Sequence, residues 1–454
     1  MAAVDFLPLF MFAALAAFLF TGFPVAFGLA GLTILFGIVG NLMGVFEYIE
    51  FTNMVYRIWG GVAENLVLTA VPTFVFMGVM MERSGIAQDL LYCLQVILKR
   101  IPGGLALSVT VMGTIMAAMT GIIGASVTLM SVLALPHMLK AKYDHALACG
   151  TICAAGTLGI LIPPSILLVI MGDLMAVSVG NLFLAALFPG LLLSGLYFIY
   201  ISSYSAIRPS VAPPLSDLDA PQTIPAYAAM LLKGFIPPAA LILLIKVAIF
   251  GGWATPTEGG AVGAFGATVL AIVNGRFTLD LMKDCCDRTA LTVAMIFFVF
   301  VGATGFSYVF RSLGGDEVVD HLILSVGLGS WGLLIMLMAI VFVLGFFLDW
   351  VEITLIVLPV FLPIVETLAF GDHVPQHEVI YWFAILIAVN LQTSFLTPPF
   401  GFALFYMKGV APPEVKLLSI YRGIIPFVIL QVIGLVTVIS WPDIALWLPR
   451  QLLN

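Results

Sequence analysis

The run GTLGILIPPS at residues 156–165 has a counterpart near the far end of the chain, LQTSFLTPPFG at 391–401. Each sets small and hydroxyl side chains ahead of a double proline inside an otherwise apolar segment. Proline lacks a backbone N–H and clashes with the preceding turn, so both runs predict helices broken near their middle. In lipid, the backbone groups freed at such a break must face protein or line a cavity.

The surroundings of the two breaks match in order. GGLALSVTVMGTIMAAMTGIIGASVTLMSVLALPHML (103–139) precedes the first, and GLLIMLMAIVFVLGFFLDWVEITLIVLPVFLPIV (332–365) precedes the second. Pro163 and Pro164 answer Pro398 and Pro399, and Thr128 answers Thr354, with an offset that grows from 226 to 235 residues across the longer polar loop at 371–378. Order, breaks and the shared double proline mark an internal repeat despite low identity.

The whole chain is suited to lipid. Of 454 residues 62% are hydrophobic and 9% charged, and the mean hydropathy is +1.18, which excludes a soluble globule or a disordered chain. Seventeen Lys and Arg against 24 Asp and Glu give a net charge of -7 with no basic block, so nucleic acid is not an expected partner. The five cysteines, Cys93, Cys149, Cys153, Cys285 and Cys286, lie in or beside apolar runs and read as small buried hydrophobes, Cys149 and Cys153 sharing a helix face. The first apolar run, Phe6 to Phe20, has no basic leader and reads as a retained anchor.

Candidate spans fall at 7–20, 25–46, 66–81, 145–161, 181–203, 227–250, 259–274, 290–310, 331–348, 380–396 and 422–441. Segments 103–123 and 127–139, separated by Gly124, Ala125 and Ser126, are too short for ordinary spans. Parity alone does not separate a re-entrant hairpin from two full crossings; segment length favours hairpins. The polar stretch Ser205 to Thr223 reads as an extramembrane linker between the halves. Lys99, Arg100, Lys140 and Lys142 flank the first hairpin, whereas no Lys or Arg occurs between Arg311 and Lys408. The two hairpins are therefore expected to open to opposite faces, the first to the cytoplasm. Inverted repeats with paired helix breaks are the pattern of secondary transporters.

Half-helix N-termini attract anions, and unwound carbonyls with hydroxyls supply hard oxygen ligands for Na+. Two clusters combine these features: Gly124, Ala125, Ser126 and Thr128 with Gly156, Thr157 and Gly159; and Thr393, Ser394 and Thr397 with Gly345 and Asp349 opposite. The plain alternative for each small residue is close helix packing. Asp349 and Glu352 are carboxylates inside a membrane segment. Asp349 is read either as an ion ligand or helix cap, or as an interfacial carboxylate beside an aromatic-belt Trp350. Glu258, following Thr255-Pro256-Thr257, reads as a helix cap ahead of a glycine face. Lys246 reads as a snorkelling lysine. His373 and His377 have metal-like spacing but fall in a polar loop, no transition-metal site is expected, and no nucleophile–base set or P-loop points to an enzyme.

The stretches VPTFVFMGVMMERSGIAQDLL (71–91), PHMLKAKYDHALACGTICAAGTLGILIPPSI (136–166), ATPTEGGAVGA (254–264) and NLQTSFLTPPFGFALFYMKGVAP (390–412) resemble the large membrane subunit of tripartite ATP-independent periplasmic (TRAP) transporters. The resemblance spans about residues 5–440. It implies an all-α polytopic membrane protein of the inverted-repeat, elevator type, with two oppositely oriented re-entrant hairpins and broken helices, as in the ion transporter superfamily. It implies Na+ as coupling ion and no other cofactor. A periplasmic substrate-binding protein would deliver an organic anion such as a C4-dicarboxylate, and a small four-helix membrane subunit, expected as a separate chain, would complete the complex. The location implied is the cytoplasmic (inner) membrane of a bacterium or archaeon.

On that resemblance, Gly124, Ser126, Gly156, Thr157, Gly159, Gly345, Asp349, Thr393, Ser394 and Thr397 are expected to bind Na+. Ser126, Thr128, Pro163, Pro164, Ser165, Thr397, Pro398 and Pro399 are expected to contact solute. Where many family members have a Ser-Gly-Ser-Ser-like tip, this chain has Gly121, Ile122, Ile123, Gly124, Ala125, Ser126, which shifts the expectation toward backbone ligation. The expected organisation is N-terminal scaffold helices (1–65), a first repeat (66–204) with a cytoplasm-opening hairpin (about 101–140) and broken helix (145–172), and a linker with central scaffold helices (205–289). A second repeat (290–411) with a periplasm-opening hairpin (about 330–366) and broken helix (380–409) follows, then a C-terminal helix and tail (412–454). The alternative kept open is a proton-coupled or binding-protein-independent carrier of the same architecture.

Overall fold

A computed structural model describes residues 6–120, 123–215, 221–398 and 401–453. Among these every regular element is helical, and nine helices are long and apolar enough to cross a membrane.

Helices α1 (Leu7–Leu19) and α2 (Val25–Leu42) open the chain. α3 (Tyr48–Ile58) is amphipathic, buries none of its residues and is capped by Glu47 with Glu50. Its segment bends by 50° into that of α4 (Ala70–Arg83), and α5 (Ile86–Leu98) follows. Helices α6 (Gly104–Thr120) and α7 (Ile123–Lys140) form the first hairpin, and α8 (His145–Thr157) and α9 (Ile166–Leu174) the first broken helix. The long α10 (Val179–Ile207) ends the first half. Helices α11 (Ile224–Met230), α12 (Ile236–Phe250) and α13 (Pro256–Val273) lie between the halves.

The second half repeats the order. α14 (Leu279–Ser312) and α15 (Gly315–Val326) lead into a hairpin of α16 (Ser330–Leu344) and α17 (Trp350–Thr367). α18 (Val379–Leu396) and α19 (Phe402–Val410) form its broken helix. α20 (Leu417–Ser440) and α21 (Asp443–Leu453) close the chain.

The sequence reading passed over residues 48–58, an amphipathic helix, and 86–98, an apolar helix of 13 residues that is too short to span. It also began the interhelix linker too early. α10 runs to Ile207, Ser205 is buried, and the chain beyond is clamped to the first hairpin by Gly103 N–H to Ala212 O (3.0 Å), Asp144 N–H to Val211 O (2.8 Å) and Leu215 N–H to Lys99 O (3.1 Å).

The halves are inverted, as α20 demonstrates. Near its start, Gly423 packs so closely on Ala146 of α8 that no side chain would fit. Near its end, the Val438 carbonyl accepts from Trp382 Nε1 of α18 (3.0 Å). The fifteen residues between Gly423 and Val438 span about 22 Å at 1.5 Å per residue. The two broken helices thus enter from opposite ends of the molecule. The end where α8 begins carries Lys99, Arg100, Lys140 and Lys142 and is called the basic end below.

Both hairpins are re-entrant. Gly156, at the end of α8, lies against Val127 of α7, and α9 continues beyond that level. Gly345, at the end of α16, lies against Ser394 near the end of α18, and α19 continues beyond. Each hairpin therefore turns at the depth of its own repeat's break. The pairing is also exchanged between repeats: α7 packs on α19 and α17 on α9, α20 on α8 and α10 on α18.

In a chain stripped of its native thiols, single cysteines at positions 141 and 372 are expected to react with membrane-impermeant reagents from opposite sides. Labelling of both from one side would contradict the inversion.

Candidate functional site

The double prolines create the breaks by removing donors. Pro164 cannot bond the carbonyl of Ile160, and the Ser165 hydroxyl donates to that oxygen instead, at 2.6 Å. Pro398 cannot bond the carbonyl of Ser394, which takes the Thr397 N–H at 3.1 Å. Thr157, Ser394 and Thr397 likewise donate to carbonyls of their own helices (2.9, 2.8 and 2.7 Å to Ala154, Leu391 and Thr393), and Thr393 does so more weakly (3.4 Å to Val389). A hydroxyl that spends its hydrogen this way keeps lone pairs for a cation or a further donor. At Thr157 one such donor is present, Gln431 Nε2 at 3.5 Å.

Gly124, Ala125 and Ser126 do not form the bend expected of them; they occupy the first turn of α7, which begins at Ile123. Gly124 serves packing instead: a Cβ there would lie 2.5 Å from the ring of Tyr406 on α19. Ser126 is buried and Thr128 half-buried. Gly121, Ile122 and Pro399 lie outside the described residues. Gly159 sits in the 3-10 turn Leu158–Ile160. Pro163, Pro164 and Ser165 are buried in the first break and are not among the residues lining the cleft described next.

That cleft, of about 820 Å³, lies beside the second tip. It is lined by Phe347, Asp349 and Glu352 from the tip, Phe402 and Tyr406 from α19, and by α2 and α14 opposite. Since α19 runs from the break toward the basic end, the cleft opens on that side of the tip. Tyr406 links the two hairpins: its ring lies against Gly124 of the first, and it lines the cleft with the carboxylates of the second. The sequence reading missed it, although an aromatic residue one turn into a half-helix was a usable signal.

Asp349 is a helix cap: its Oδ1 accepts from Trp350 N–H at 2.8 Å, and Glu352 Oε2 accepts from Asp349 N–H at 2.6 Å. These carboxylates neutralise the N-terminus of α17, so that terminus is not free for an anion. Trp350 is not an aromatic-belt residue, being 1% exposed in the core. No Lys or Arg is among the residues lining the cleft. Beside Thr393, Gln392 is buried with neither amide atom partnered among the described residues.

The other sequence-derived candidates resolve simply. Glu258 forms a capping box with Thr255. His373 Nε2 donates to Ile439 O at the α20 end (2.9 Å), whereas His377 is exposed beside Glu378. Cys149 and Cys153 are free and buried, and no group of metal-ligating side chains occurs among the described residues.

Gly345→Ala is expected to overlap the Ser394 hydroxyl and cost ~1–3 kcal/mol by overpacking. It should lower the thermal midpoint, and Ser394→Gly in the same chain should recover most of the loss; no recovery would place the strain elsewhere.

Residues 12–444 match the family model of the tripartite ATP-independent periplasmic transporter, DctM component. The chain is 29% identical over 86% of its length to the C4-dicarboxylate TRAP transporter large permease protein DctM of Pseudomonas aeruginosa, covering 88% of that protein. It is 28% identical to the sialic acid TRAP transporter large permease protein SiaM of Vibrio cholerae, over 96% of this chain and 97% of that one. The crystal structure of the Alcanivorax borkumensis YdaH transporter shares the fold, with TM-score 0.60 and 16% identity over 88% of each chain.

Proposed function

The chain belongs to the tripartite ATP-independent periplasmic transporters as a DctM component, the large permease, and on that premise we propose that it drives sodium-coupled uptake of an organic anion. A substrate-binding protein delivers the solute and a small membrane subunit braces the permease in the cytoplasmic membrane. The basic end faces the cytoplasm. The relatives named for C4-dicarboxylate and for sialic acid both point to a carboxylate-bearing solute.

The observation that carries this reading is the docking of each hairpin tip on its own helix break, Gly156 on Val127 and Gly345 on Ser394. That arrangement gathers carbonyls and hydroxyls with spare lone pairs at two equivalent depths, the chemistry a dehydrated Na+ requires. Ser126, Thr157, Thr393, Ser394 and Thr397 are the side chains nearest this role, with backbone at Gly124, Gly156, Gly159 and Gly345. Asp349 holds α17 in place and adds negative charge for a cation. Solute occupies the cleft beside the second tip, where Phe402 begins a half-helix whose N–H groups are suited to a carboxylate. The hairpins and broken helices, residues 101–174 and 330–410, form the moving unit of an elevator, and α2, α4, α13 and α14 belong to the fixed frame.

The cleft itself supports a second reading, proton coupling, because Asp349 and Glu352 line it with no Lys or Arg among the described lining residues. In proteoliposomes holding the permease, its small subunit and binding protein, an inward Na+ gradient is expected to drive accumulation while a proton gradient alone does not. The reverse result would install the second reading.

Thermal stability in NaCl should exceed that in equal KCl or choline chloride and saturate, by about 2.7 kcal/mol at a hundredfold excess over the dissociation constant. Ser126→Ala should shift that saturation to higher Na+ while leaving the sodium-free midpoint nearly unchanged; an unaltered Na+ dependence would remove Ser126 from the site.

A further inference from the structure

A second cavity, of about 330 Å³, lies on the other side of the second hairpin, away from the basic end. Its walls are α3 and α14 on one side, and α17 with the end of α9 on the other. Arg57, Arg311, Thr304, Ser307, Tyr308 and Ser312 supply its polar lining.

Basic residues are scarce at this end of the molecule, as the positive-inside rule requires of an outward face. Arg57, Arg311 and Arg450 stand there, with Lys246 one turn short of the end of α12. Arg450 is held by Glu378 and Asp443. Arg57 and Arg311 share this one cavity. Arg57 has no carboxylate partner among the described residues, and Arg311 meets Asp316 only at 3.7 Å. Arg311 Nη2 also donates to the Pro359 carbonyl at 2.7 Å, an oxygen that Pro363 leaves without its helical donor. That bond fixes the guanidinium at the cavity wall. Two guanidiniums, three hydroxyls and a phenol thus line a space of small-molecule size, opposed by one half-exposed carboxylate.

We propose that Arg57 and Arg311 form an outward-facing anion site, distinct from the cleft beside the second tip, that takes the carboxylate or sulfonate head of a small organic anion. The site rests on the organic-anion reading above and gives the solute a first stop between the frame and the second hairpin. A planar guanidinium pairs with such a head group through two parallel hydrogen bonds. Arg57 is the residue free to do this; Arg311 contributes field and its remaining donors.

The test uses the full permease with its small subunit in phosphatidylcholine nanodiscs, the native cysteines replaced and Ser312→Cys as reporter, with Ser307→Cys as a second reporter should the first fail to fold. Rates of modification by a sulfonate-bearing and a trimethylammonium-bearing methanethiosulfonate are compared. The anionic reagent is expected to react faster, and Arg57→Gln to cut the anionic-to-cationic ratio about fivefold, as removal of one nearby charge should. Succinate should slow the reaction in the parent and not in Arg57→Gln, while uncharged succinamide should not protect. A ratio unmoved by Arg57→Gln, or equal protection by succinamide, would overturn the site. Protection that needs phosphatidylglycerol in the disc and ignores succinate would assign the arginines to lipid headgroups and overturn it as well. None of these rates depends on turnover, so failure of gradient-driven uptake would be seen separately.

Discussion

A backbone carbonyl in lipid must find a donor, and this chain repeatedly removes one with proline. Pro164 frees Ile160 O, Pro363 frees Pro359 O and Pro442 frees Val438 O. The replacements are Ser165 Oγ, Arg311 Nη2 and Trp382 Nε1, at 2.6, 2.7 and 3.0 Å. Leaving such a group bare in hydrocarbon costs on the order of several kcal/mol. Each substitution therefore ties the broken segment to a particular neighbour: the first break to itself, the second hairpin to α14, and the end of α20 to the start of α18.

From these ties the packing follows. Close approach at Gly423 and the Trp382 bond align both broken helices along α20 in opposite senses. Glycine at 156 and 345 then lets each hairpin tip seat on its break, where any Cβ would collide. The exchanged contacts, α7 with α19 and α17 with α9, bind the repeats into one core. The second tip is left with a cavity on either side, acidic toward the basic end and guanidinium-lined toward the other.

The breaks were legible in the sequence because proline acts through local covalent chemistry, which needs no tertiary context. The hairpin turn was not placed as well. Gly124, Ala125 and Ser126 looked like a bend, yet all three residue types are compatible with a helix start, and the contact with Tyr406 is what calls for glycine. Trp350 next to Asp349 suggested an interface, since hydropathy cannot tell lipid-facing from core-facing aromatics; its burial comes from packing. Asp349 as a helix cap was one of the readings offered, beside ion ligand and interfacial carboxylate, and it forms a capping box with Glu352.

An all-helical membrane chain, its two repeats and the positions of their breaks were readable residue by residue, because hydropathy, proline and charge asymmetry are properties of segments. Tertiary structure alone decided which surfaces those segments share. It brought Tyr406 from one repeat against Gly124 of the other, set Arg57 and Arg311 in one cavity, and turned Asp349 and Glu352 inward on their own helix. Such juxtapositions depend on the relative rotation and depth of helices far apart in the chain. Those are fixed by side-chain interlocking and replacement hydrogen bonds, which no single segment encodes.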